Sequence, residues 1–119
     1  MRHLRANKKI SRPTDQRMAL LRYQARSLIQ KGEITTTRAK AKALASFVMK
    51  LITHARKGDV SNLREIRRYI DDRRVILKLT TEIVPKLTSK NGGEISVYDA
   101  GQRRGDGADI SVVTFNLTQ

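Results

Sequence analysis

Residues 34–58 read ITTTRAKAKALASFVMKLITHARKG, and their patterning decides the architecture. Ile34 and the three threonines after it are β-branched, so Glu33–Thr36 is expected as a short strand, with Thr36 or Thr37 capping the element that follows. Leu44, Phe47, Val48, Leu51, Ile52 and Ala55 then recur at helical spacing and make one wide apolar face. Gly58 is the expected terminator, because glycine tolerates the left-handed backbone that closes a helix. Arg56 and Lys57 occupy the last turn, where cations suit the helix dipole. The other end is different. Arg38, Lys40 and Lys42 crowd the first turns, where the dipole disfavours cations, and a bound phosphate would offset that cost.

Upstream, Pro13 cannot lie inside a helix, but Thr14 can cap one, with Asp15 in its first turn. Met18, Leu21, Ala25, Leu28 and Ile29 follow at helical spacing, and Gly32 closes the helix. Arg22 and Arg26 stand one turn apart off the apolar stripe. Downstream, Asp59 can cap a third helix that turns Leu63, Ile66 and Ile70 inward. Asp71 or Asp72 can cap a fourth, with Ile76, Leu79 and Ile83 inward and Pro85 ending it. Residues 88–93 form a loop. Residues 95–99 and 110–117 alternate at period two, so they are expected to pair as an antiparallel hairpin across the flexible stretch Gly101–Gly107. The order is α-β-α-α-α-β-β: an α+β fold of two layers, with helices packed on a small sheet. Residues 1–13 are expected to be an extended basic arm, and 14–119 a single RNA-binding domain of the α/β type.

Charge separates the two halves of the chain. Lys and Arg number 25 against 11 Asp and Glu, a net of +14. Residues 1–58 hold 15 of the cations and only two acids, Asp15 and Glu33, while residues 59–119 are nearly balanced with 10 cations and nine acids. Solubility alone needs a net charge of only about 2–8 in a small domain. A one-sided surplus of this size attracts a polyanion and costs folding energy without one. Nucleic acid is the expected partner, and phosphate contacts are assigned to Arg2, Arg5, Lys8, Lys9 and Arg12 in the arm and to Arg17, Arg22, Arg38, Lys40 and Lys42 beyond it. Five Tyr and Phe residues, Tyr23, Phe47, Tyr69, Tyr98 and Phe115, are too scattered to suggest a stacking platform, so recognition through RNA shape and backbone is favoured.

Other chemistries find little support. The chain has no cysteine, which removes disulfides, thiol catalysis and Cys-based zinc sites. It has no run approaching the ~18 apolar residues of a membrane span, and no phosphate-binding glycine loop, so neither a membrane nor a small-molecule substrate or cofactor is expected. His3 and His54 lie far apart, and a histidine at a helix end is usually structural. Asp99, Asp106 and Asp109 could converge as a metal-dependent nuclease site, but turn-forming aspartates explain them more simply. A DNA-binding architectural or regulatory protein, using the third and fourth helices, is the alternative to an RNA scaffold.

Six stretches follow in order across nearly the whole chain: Met1-Arg2-His3, Arg12-Pro-Thr-Asp-Gln-Arg-Met-Ala-Leu-Leu-Arg22, Ile34-Thr-Thr-Thr-Arg-Ala-Lys40, Leu51-Ile-Thr53, Asn91-Gly-Gly93 and Arg103-Arg-Gly-Asp-Gly-Ala108. Together they resemble the bacterial-type large-subunit ribosomal protein family numbered seventeen. The resemblance implies a two-layer α/β fold, no enzymatic activity and binding to 23S-type ribosomal RNA. It also implies a place in the ribosome of a bacterial cytoplasm or plastid stroma, beside other large-subunit proteins near the polypeptide exit. By position it gives RNA contacts to Arg2, His3, Arg5, Arg12, Arg17, Arg22, Thr36, Arg38, Lys40, Arg103 and Arg104. Leu4 departs from a usually basic position, and Gln16 is the form found in cyanobacterial and plastid members. Glu94-Ile-Ser-Val97 stands where Tyr-Thr-Arg-Ile is usual, and Asp109 stands where Pro is usual.

Overall fold

The structure is a computed structural model, and it describes residues 14–87 and 93–117. The expected arm and most of the expected loop at 88–93 lie outside those residues. Helix α1 runs Thr14–Lys31, strand β1 Glu33–Thr37, α2 Arg38–Lys57, α3 Val60–Arg67 and α4 Arg73–Lys78; strands β2 and β3 span Ile95–Gln102 and Asp109–Phe115. The α-β-α-α-α-β-β order and the α+β class are as expected. The three strands form one antiparallel sheet in the order β1-β3-β2, so the last strand is central and joins the first half of the chain to the second.

The core forms where α2 lies on this sheet. Alternation along β3 buries Ser111, Val113 and Phe115, and leaves Ile110, Val112 and Thr114 half-buried on the other face. On α2, Ala41, Ala43, Leu44, Val48, Leu51, Ile52 and Ala55 are buried, and Leu21, Ala25, Leu28 and Ile29 of α1 pack beside them. Ile66, Ile70, Val75, Leu79 and Ile83 complete the cluster from the third and fourth helices. Phe47, expected in the core, is half-buried at its rim, edge-on to Tyr69 with ring centroids 5.4 Å apart.

Several boundaries differ for identifiable reasons. Thr14 is the first residue of α1 rather than the cap before it. Strand β1 extends to Thr37, which pairs with Ile110 and passes straight into α2; its backbone serves as the N-cap, but its side chain makes no capping hydrogen bond. Gly58 ends α2 at φ 68°, its N–H donating to the carbonyl of His54. Asp59 and Asp72 do cap α3 and α4, accepting from the backbone N–H groups of Asn62 and Arg74. The fourth helix does not run straight to Pro85. It widens into a π turn over Leu79–Ile83 and tightens into a 3₁₀ turn over Val84–Lys86. A proline ring would collide with the carbonyl four residues back in a regular helix, and the wider turn moves that carbonyl away. The hydroxyls of Thr80 and Thr81 donate to the carbonyls of Ile76 and Leu77.

At the other end, β2 continues through Gly101 to Gln102, so the connecting loop shortens to residues 103–108. The register slips between Asp99 and Gln102, and Gly101 sits at that slip with φ 96°, a backbone that a side chain would strain. Leu117 lies beyond β3 and meets Leu87 in a single bridge.

Candidate nucleic-acid interface

Thr36, Arg104 and Arg17 aside, the expected contact residues fall into three groups. Arg2, His3, Arg5, Lys8, Lys9 and Arg12 lie outside the described residues. Arg22 and Arg26 on α1 and Lys42 on α2 are exposed, and Lys40 on α2 is half-buried. Among the described residues none of these four forms an ion pair. The guanidinium of Arg22 stands 5.9 Å from the centre of the Tyr69 ring, where the electron-rich face holds a cation.

The third group meets carboxylates of the protein itself. Arg38 lies 3.2 Å from Asp99 on β2 and 3.6 Å from Asp109 on β3. Two aspartates therefore offset part of the cost of a cation at the start of α2, where a phosphate was expected; Lys40 and Lys42 keep theirs. Arg103 is held bidentately by Asp106 at 3.2 and 2.6 Å, leaving Arg104 exposed beside it in the loop. The hydrogen bond from Arg103 depresses the Asp106 carboxyl to about 2, helped by the N–H of Ala108, and the same contact raises the Arg103 guanidinium. Thr36 is half-buried and occupied as an acceptor for the Gln24 amide at 3.1 Å.

Arg17 departs most from expectation. It is 8% exposed, not an open surface cation. With Met18 and Leu21 it lines a cleft of about 240 Å³ between α1 and α2, whose far wall carries Lys50, His54 and Tyr69. The position of Arg17, one turn before Leu21 on the apolar stripe, signals this burial. Lys50, His54 and Tyr69 come from two other segments, and nothing in their spacing pairs them with α1.

Two side-chain contacts account for other readings of the chain. His54 Nδ1 lies 2.7 Å from Asn62 Oδ1, and the Asn62 amide donates to Asp59 at 2.6 Å, so the histidine is tied into the cap of α3. That cap, chiefly the backbone N–H of Asn62, lowers the Asp59 carboxyl. The three aspartates of the nuclease reading do not converge on one point: Asp99 and Asp109 face Arg38, and Asp106 faces Arg103. Among the described residues no group of three His, Asp or Glu side chains could hold a metal ion.

Glu94 carries no site role in the sequence, yet it anchors the start of β2. It is 2% exposed and bonded to Arg56 near the end of α2 at 2.5 Å. Its second oxygen, Oε1, is buried without a hydrogen bond among the described residues. The two acids that depart from the resemblance, Glu94 and Asp109, are thus partners of Arg56 and Arg38.

A family model described as ribosomal protein L17 matches residues 20–116. The large ribosomal subunit protein bL17 of Clostridium tetani is 41% identical over 107 residues, covering 90% of this chain and 95% of that protein. The protein of the same name from Coprothermobacter proteolyticus is 39% identical over 116 residues, covering 98% and 99%, and that of Clostridium botulinum 40% over 106 residues.

Proposed function

The chain belongs to the ribosomal protein L17 family, and on that premise we propose that it is a non-enzymatic constituent of the large ribosomal subunit, held on 23S-type RNA by the cations of its first half. The observation that carries this reading is that Arg22, Arg26 and Lys42, exposed, and Lys40, half-buried, form no ion pair among the described residues. No carboxylate of the described residues pairs with them, although the second half of the chain has carboxylates and places them against Arg38, Arg56 and Arg103. Like charges left unpaired repel one another, and a polyphosphate turns that cost into binding free energy as its counterions are released. RNA bound only to the folded chain also stabilises it by mass action. Arg2, His3, Arg5, Lys8, Lys9 and Arg12 extend the same contact along the arm, and neighbouring large-subunit proteins near the polypeptide exit complete the surroundings.

The test is incorporation. Deleting residues 1–12 is expected to remove the protein from the large-subunit peak of a sucrose gradient while leaving its helical circular dichroism intact. Normal incorporation of the deletion would end the arm's role. Competition between ribosomal RNA and duplex DNA at physiological salt separates this reading from a DNA-binding one, which would show preference for the duplex.

A further inference from the structure

We infer that the cleft between α1, α2 and the turn after α3 takes one unpaired nucleotide of the bound RNA, its base against Phe47 and Tyr69 and its phosphate on Arg17 and Lys50. This rests on the RNA-binding reading and goes beyond it, because that reading needs only an outward charged face.

Charge is the first argument. An unpaired guanidinium lining a confined cleft favours an anion beside it. Arg17 is 92% buried as judged by its 8% residual exposure, and no carboxylate among the described residues forms an ion pair with it. The one carboxylate on the cleft wall, Glu65, is engaged by Arg68 at 3.3 Å. Lys50 adds a second cation to the lining of the cleft. An apolar peptide side chain in this place would strip water from both cations and give nothing in return, whereas a phosphate matches them.

Shape and chemistry narrow the ligand. About 240 Å³ is less than the roughly 300–1,000 Å³ of a site for a drug-sized molecule, so the cleft suits a single flat ring and its linkage. Phe47 and Tyr69 both line the cleft and meet edge to face at 88°, which makes an aromatic wall of the kind on which unpaired bases stack. Met18 and Leu21 supply the apolar side, and the small Ala43 lies at the base of α2's contribution. His54 adds direction. Asp59 can only accept, so the Asn62 amide points its N–H₂ there and turns its carbonyl oxygen to His54 Nδ1. In the neutral ring the proton therefore sits on Nδ1, and Nε2 remains an acceptor suited to a base N–H or a ribose 2′-hydroxyl.

The chain has three tyrosines and no tryptophan, which makes Tyr69 a usable reporter. Tyr23 and Tyr98 are exposed and stand outside the cleft, so Y23F/Y98F leaves Tyr69 as the only tyrosine. Titrating this full-length variant with an eight-nucleotide single strand of uridines is expected to quench its emission by more than half, with N-acetyltyrosinamide as the absorbance control. An RNA duplex of the same length should leave the emission unchanged. Adding Lys50→Gln, at an exposed side chain, or Arg17→Gln should weaken the quenching titration about tenfold, with circular dichroism reporting the fold. Three results would overturn the proposal. One is filter-bound RNA with unchanged Tyr69 emission, which leaves the general RNA reading standing. Another is quenching indifferent to Lys50→Gln. The third is a change of emission on deleting residues 1–12 without RNA, which would give the cleft to the chain's own arm. If neither the single strand nor ribosomal RNA is retained on a filter, both readings fall.

Discussion

Arg22 and Arg103 carry the same charge in opposite surroundings. Arg22 is exposed on α1 beside the Tyr69 ring, with no ion pair among the described residues, while Arg103 is clasped by Asp106 within its own loop. The contrast extends to whole regions. Among the described residues Arg22, Arg26, Lys40 and Lys42 of α1 and the early turns of α2 are without an ion pair, whereas the β2–β3 hairpin supplies a carboxylate for Arg38 and for Arg103, and Glu94 at its foot supplies one for Arg56. The difference separates two jobs. Paired charges hold the fold together, and unpaired charges store an attraction for a polyanion.

That division can be broken most forcefully at Arg56. Arg56→Ala leaves the buried Glu94 carboxylate without its partner, and removing one member of a buried pair costs about 3 kcal/mol at the low end of what such pairs show. Urea unfolding should register this loss while the salt dependence of RNA binding stays unchanged. A change in the salt slope instead would mean that Arg56 serves the RNA.

The converse variant, R22Q/K40Q/K42Q, should leave urea stability nearly unchanged and weaken RNA binding at least tenfold, about 1.4 kcal/mol. The slope of log affinity against log salt should fall by roughly two to three, because each lost phosphate contact removes about 0.7–0.9 from it. Smaller still is the effect of D99N/D109N, which frees Arg38 from both aspartates. Binding to non-cognate RNA should strengthen two- to threefold with a slope steeper by about one. Unaltered binding would show that Arg38 makes no RNA contact even when released.

The smallest effect concerns acid. The Asp106 carboxyl is depressed to about 2 in the fold, below its ordinary 3.8. Its contact with Arg103 thus stabilises the loop above pH 4 and is lost as pH falls toward 2. Asp106→Asn should flatten part of the melting-temperature decline over that window, measured from pH 6 to pH 2. An identical acid profile would show that the loop pair contributes nothing to folding.

Much of the fold can be read from patterning because its determinants are local. The apolar residues of α2 repeat at helical spacing, and five of the six expected in its face are buried, Phe47 being the one left at the rim. Gly58 and Gly32 close helices where a left-handed backbone is required, and the alternation in β3 divides its faces as period two dictates. The π turn before Pro85 was not legible, since the proline announces a stop but not how the preceding carbonyls adjust. The site was less accessible. Arg38 meets Asp99 and Asp109 only because β1 feeds α2 beside the central strand, and Glu94 finds Arg56 through the same long-range pairing. Arg17 is instructive in another way. Its place one turn before Leu21 puts it on the buried stripe, a local signal at odds with the open phosphate contact that its charge suggests.

Ultraviolet cross-linking within the assembled large subunit, followed by mass spectrometry of the RNA-bearing peptides, tests the central claim most directly. Cross-links should concentrate in peptides from residues 1–57, with Tyr69 the expected outlier beyond them. Cross-links confined to residues 95–117, with the cations of α1 and α2 untouched by RNA, would contradict it.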